Sequence, residues 1–100
     1  MPPAKSTPPP ASRSLTDGRD AIARIDGAIV RLIAERVQAA RSVAVAKRHA
    51  DLPILDHAQE ARVVRRAAEM ARAEGLPEED VRTVFWRLIA LTRESEARAS

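Results

Sequence analysis

Residues 15–49 read LTDGRDAIARIDGAIVRLIAERVQAARSVAVAKRH, and this stretch decides the fold. Leu15, Ile22, Ile25, Ile29, Leu32, Ile33, Val37, Ala40 and Val43 recur at spacings of three, four and seven, which lines up one face of a helix. Thr16 or Asp17 is expected to cap its start, with Asp20 in the first turn beside the positive end of the dipole. No Pro or Gly interrupts residues 28–52, so the helix is expected to reach about residue 49. At ~1.5 Å per residue its length is roughly 50 Å. A helix that long outruns what the rest of so short a chain can cover, and a partner is expected to bury the remainder.

On the N-terminal side, residues 1–14 (MPPAKSTPPPASRS) are rich in Pro, Ser and Ala and are expected to form a disordered or polyproline-like tail. The domain then covers residues 15–98. On the C-terminal side, Pro53 ends the first helical region, and Asp56 with Gln59 three residues on has the spacing of a capping box. A second helix is expected from His57 to Glu74 with Val64, Ala67, Ala68 and Ala71 inward, stopped by Gly75. Pro77 suits the first position of a third helix, whose dipole Glu78, Glu79 and Asp80 complement. Its inward residues are expected to be Val81, Val84, Phe85, Leu88 and Ile89, and its end lies near Glu96. The reading is all-α, with three helices of which one is long.

Composition agrees and removes several function classes. One Phe, one Trp and no Tyr among 100 residues is poor material for a β-sandwich core or a base-stacking surface. The net charge is +3, but 17 basic residues are interspersed with 14 acidic ones, as on a solvated helical surface. Without cysteine there is no disulfide, thiolate metal site or thiol nucleophile. His49 and His57 are isolated and lack metal-ligand spacing, so no metal is expected. No apolar run approaches the ~20 residues of a membrane span, and the first residues do not resemble a secretory signal, so a cytoplasmic protein is expected.

The informative polar residues share the apolar stripes. Arg36 follows Leu32 by four residues and Ile33 by three, and Lys47 follows Arg36 by eleven, close to three whole turns. Two cations ~16 Å apart on one helix face can bracket a ligand of metabolite size. Glu60 shares the face of Val64, while Thr92 and Glu96 continue the stripe of Phe85 and Leu88. Any one of these residues alone is ordinarily a boundary side chain reaching for solvent. Together, buried charges and a hydroxyl from three helices must satisfy one another or a ligand. Cations disfavour a metal and no nucleophilic triad is present, which leaves a dry pocket suited to a small anion and to electrostatic catalysis. Arg19 lies roughly 25 Å before Arg36 along a straight helix. It can reach such a pocket only from a second, antiparallel chain.

These residues resemble the all-helical chorismate mutase family. The match runs through Arg19-x-x-Ile22-x-x-x-Asp26, Ala34-Glu35-Arg36, Val43-x-x-x-Lys47, Pro53-x-x-Asp56-x-x-x-Glu60, the Gly75-Leu76 turn and Thr92-x-x-x-Glu96, over about residues 15–97. The resemblance implies three helices per chain interlocked into a homodimer with two active sites. It implies the cofactor-free Claisen rearrangement of chorismate to prephenate, a shikimate-pathway step toward Phe and Tyr. Arg36 and Arg19 from the partner chain would hold the two substrate carboxylates. Lys47 would reach the ether oxygen and one carboxylate. Asp56 and Glu60 would face the ring hydroxyl. Thr92 would support a carboxylate, and Glu96 would meet the ether oxygen opposite Lys47. Such enzymes position the substrate and stabilise charge on the ether oxygen.

Two positions depart from the bacterial pattern. Gln59 stands where many bacterial members carry Arg, and Glu96, where they carry Gln, resembles the fungal members. A protonated Glu96 donates to the ether oxygen whereas an ionised one repels it, so activity is expected to fall as pH rises through neutrality. Same-scaffold alternatives are a 4-amino-4-deoxychorismate mutase, which Gln59 keeps open, and an isochorismate pyruvate lyase, which Asp56 and Glu60 disfavour. A non-catalytic basic helical module binding nucleic acid would present its cations on an exposed face, contrary to the pattern here. Small mutases of this kind can also be activated by a partner enzyme, which these residues do not test.

Overall fold

The computed structural model describes residues 10–98, which form three helices: α1 (Pro10–His49), α2 (His57–Ala73) and α3 (Glu78–Arg98). There is no strand among the described residues, and no helix is long and apolar enough to cross a membrane. The expected tail falls largely outside the described residues at 1–9, but residues 10–14 are helical. The first helix thus starts ahead of Thr16 and Asp17, which lie within it and do not cap it. The physical reason is that Ala11, Ser12, Arg13 and Ser14 contain no breaker, Pro10 is tolerated in a first turn, and extending an existing helix is far easier than nucleating one.

The chain divides into two units between Leu32 and Ile33, inside α1. In the first unit, the described part of α1 exposes its large apolar residues: Leu15, Ile22, Ile25, Ile29, Val30 and Leu32 are all about half-exposed or more.

The second unit holds the end of α1, α2 and α3. Among the described residues, α2 and α3 are the pair of helices whose Cα atoms come within 8 Å. Alanines permit that approach: Ala67 and Ala68 are 1% exposed, and Val64 and Ala71 are buried beside them. These are the four inward positions read from the α2 sequence. From α3, Ile89 is buried and Val81, Phe85 and Leu88 are half-buried. Val84, expected inward, is exposed instead, because it lies at the margin of the stripe that Val81, Phe85, Leu88 and Ile89 already fill.

Both helix ends that flank α2 follow one hydrogen-bond pattern. After α2, Leu76 N donates to Ala71 O at 2.8 Å and Gly75 N to Arg72 O at 3.1 Å, with Gly75 at φ 72°. After α1, Leu52 N donates to Lys47 O at 2.8 Å and Asp51 N to Arg48 O at 3.1 Å, with Asp51 at φ 56°. Each is a Schellman stop that satisfies terminal carbonyls through a left-handed residue. The first uses Gly, which reaches that conformation without strain, and the second uses Asp, one of the few other residues that tolerate it.

Candidate functional site

The second unit contains a cavity of about 320 Å³, lined by all three helices and the α1–α2 connection. From α1 come Arg36, Ala40, Val43 and Lys47, at successive spacings of four, three and four, so the two cations do project from one face. Asp56, Gln59 and Glu60 enter from the start of α2, and Ile89, Thr92, Arg93 and Glu96 from α3. Seven residues singled out in the sequence therefore share one cavity: Arg36, Lys47, Asp56, Gln59, Glu60, Thr92 and Glu96. Arg19 belongs to the first unit and is exposed there.

Arg36, Lys47, Asp56, Gln59, Glu60, Thr92 and Arg93 each have a specific partner. Arg36 Nη1 donates to Thr92 Oγ1 at 3.0 Å, and the same hydroxyl donates to Leu88 O at 2.7 Å. Thr92 is thus a buried relay whose single hydrogen is already committed to its own helix. In this arrangement it fixes Arg36 and makes no donation of its own to the cavity. Lys47 Nζ donates to Ile54 O at 3.0 Å, which engages one of the three ammonium hydrogens and aims the group from α1 toward the connection.

Asp56 is the N-cap of α2, with extended backbone (φ −138°, ψ 91°) and Oδ1 accepting from Gln59 N at 3.0 Å. The expected box is only half formed, because the Gln59 side chain accepts from Arg62 Nε at 2.9 Å instead of reaching back. A guanidinium one turn away on α2 offers that amide a stronger, charge-assisted bond than a backbone N–H does.

Glu60 carries the strongest pairing in the cavity wall. Its side chain is 15% exposed, and Arg93 grips it with a fork, Nε to Oε2 at 2.8 Å and Nη2 to Oε1. His57 Nδ1 stands 3.4 Å from Oε1. The Arg93 hydrogen bonds hold the Glu60 carboxyl below the usual carboxylate range, against the opposing effect of partial burial, and Arg93 itself is pushed up by the same contact. Arg93 escaped the sequence reading. The signal was present, since Arg93 follows Ile89 by four residues and precedes Glu96 by three, but its partner is 33 residues away on another helix.

No group of His, Asp and Glu among the described residues could hold a metal ion. The cavity wall combines donors (Arg36, Lys47 and Arg93), carboxylate acceptors and the apolar Ala40, Val43, Val63 and Ile89. That arrangement suits binding and electrostatic stabilisation of a small anion. Comparison with curated proteins and with solved structures returns no match. The sequence model for chorismate mutase type II matches residues 18–97, nearly all of the described chain, and the protein belongs to that family.

Proposed function

We propose that this protein rearranges chorismate to prephenate as a homodimer, with Arg36 and a second copy's Arg19 binding the two substrate carboxylates. Lys47 and Glu96 meet the ether oxygen from opposite sides, and Asp56 and Glu60 face the ring hydroxyl, whose single hydrogen Glu60 accepts. Gln59 lies at the rim. The observation that carries the reading is the convergence of Arg36, Lys47, Glu60, Thr92 and Glu96 on one cavity of metabolite size.

Charge balance supports the second copy. Arg36, Lys47 and Arg93 supply three positive charges to the cavity wall, and Asp56, Glu60 and Glu96 supply three negative ones, for a net of zero. A dianion gains little from a neutral wall. Arg19 from a partner adds one positive charge and brings the wall nearer to matching the two carboxylates. The large exposed residues of α1 before Ile33 provide apolar surface for that association.

The test follows chorismate loss by absorbance. Arg36→Ala is expected to lose roughly a hundredfold or more in turnover, the scale of deleting one transition-state donor. Arg19→Ala is expected to lose a comparable amount, and mixing the two inactive variants should restore roughly a quarter of wild-type activity, because half of the mixed dimers' sites are intact. Unchanged turnover in Arg36→Ala removes the proposed site, and an active Arg19→Ala removes the sharing.

A further inference from the structure

The Arg93–Glu60 pair has a feature that ordinary surface ion pairs lack. Exposed pairs usually contribute little because water screens them and long side chains resist ordering. Here the carboxylate lies on a cavity wall at 15% exposure and both of its oxygens are taken by one guanidinium fork. Arg93 stands at the rim, 44% exposed, and also borders a side cleft formed with Ile54, Leu55, Glu96 and Ala97. An ionised carboxylate only accepts hydrogen bonds, so whatever group of a ligand meets Glu60 must donate one. Chorismate, as a dianion, has a single donor, its ring hydroxyl; its carboxylates and ether oxygen can only accept.

We propose that Arg93 is a positioning residue that sets which ring substituent the cavity accepts. By clamping Glu60 as a charge-neutralised, acceptor-only pair, it selects an uncharged donor over a cationic amine at that point. The inference rests on the mutase reading above and names the specificity of that same cavity. The sign follows from electrostatics. Glu60 alone would present a full negative charge and favour an ammonium. With Arg93 bound across both oxygens, the pair is neutral and an incoming ammonium meets the guanidinium as a like charge. The fork also fixes the direction of the carboxylate lone pairs, so the hydroxyl is held in one orientation.

Arg93 and His57 touch Glu60, and the charged groups sharing the cavity wall with it are Glu96 from α3, Asp56 at the α2 cap, and Arg36 and Lys47 from α1. Measurements should therefore be made at about pH 7.5, above the ordinary imidazole range. The probes are chorismate and 4-amino-4-deoxychorismate, with kcat and KM determined separately for wild type, Arg93→Gln, Arg93→Lys, Glu60→Gln and the Arg93→Gln/Glu60→Gln double variant. Arg93→Gln should lower kcat/KM for chorismate by roughly tenfold, the scale of a charge-assisted hydrogen bond, while the amino substrate holds or improves. Arg93→Lys, which keeps the charge but loses the fork, should fall between. In the Glu60→Gln background, Arg93→Gln should shift the ratio no further. Equal losses for both substrates, or a ratio shift that persists without the Glu60 carboxylate, overturns the proposal. Wild-type protein that rearranges neither substrate removes the mutase reading, and the inference with it. Activity on chorismate with an unchanged ratio removes the inference alone.

Discussion

α1 and α2 are both amphipathic helices stopped by the same hydrogen-bond pattern, yet they use their apolar faces in opposite ways. The α2 stripe is small: Val64, Ala67, Ala68 and Ala71 are buried within the same chain, on the helix that approaches α3. The stripe of α1 before Ile33 is large, and Ile25 remains 57% exposed. Small side chains let two backbones close on each other, so a short helix is covered locally. Branched side chains need a matching surface, and among the described residues none covers this one. The contrast also reaches the helix ends, where Gly75 serves α2 and Asp51 serves α1.

The largest effect should come from breaking the α1 stripe. Ile25→Asp with Ile29→Asp removes four isoleucines from the proposed homodimer interface, at about 1.5–3 kcal/mol each by burial. Size-exclusion chromatography with light scattering should report the mass of one chain, with activity lost. A dimer of unchanged mass would place the interface elsewhere. Breaking the α2 face tests the other half of the contrast. Ala68→Leu should overpack the close approach to α3 and lower the urea midpoint, at a cost of about 1–3 kcal/mol. The helix ends offer a smaller, paired test. Gly75→Ala should destabilise by about 1 kcal/mol although nothing lies within 4 Å of the added Cβ, because the penalty is conformational. Asp51→Gly should do the reverse, stabilising by roughly 0.5–1 kcal/mol.

The smallest effect is a pH dependence that belongs to the α2–α3 pair. Glu60 is held below its usual range by Arg93, so it titrates lower in the folded chain than in the unfolded one. Its contribution is complete above the unfolded value and is lost as pH falls through the folded value. Urea midpoints should therefore be insensitive to this pair near neutrality and decline in acid. Arg93→Gln should shrink that decline, because Glu60 then titrates closer to its unfolded value.

Local periodicity made most of the fold legible. The four buried residues of α2, the Asp56 cap and the Gly75 stop are each dictated by neighbours a turn or less away, and each appears where its spacing puts it. The start of α1 was not legible, because a Pro-Ser-Ala composition describes a free segment and takes no account of a helix already formed beside it. Val84 failed for a related reason, since periodicity marks a face but not its width. At the cavity, spacing along each helix brought Arg36 into register with Lys47. The partners across helices, Thr92 for Arg36 and Arg93 for Glu60, depend on which faces meet, and no pattern within one helix carries that.

Lys47 is tied twice to the same short connection: its carbonyl receives Leu52 N, and its ammonium donates to Ile54 O. Surface connections between helices are ordinarily where insertions and deletions accumulate. This one should behave differently in a deep insertion scan. One added residue between Asp51 and Ile54 would displace the carbonyl that aims the ammonium while leaving the helices intact. The loop should therefore be as intolerant of length change as a packed core, and its length should serve as a diagnostic of retained chemistry among diverging copies.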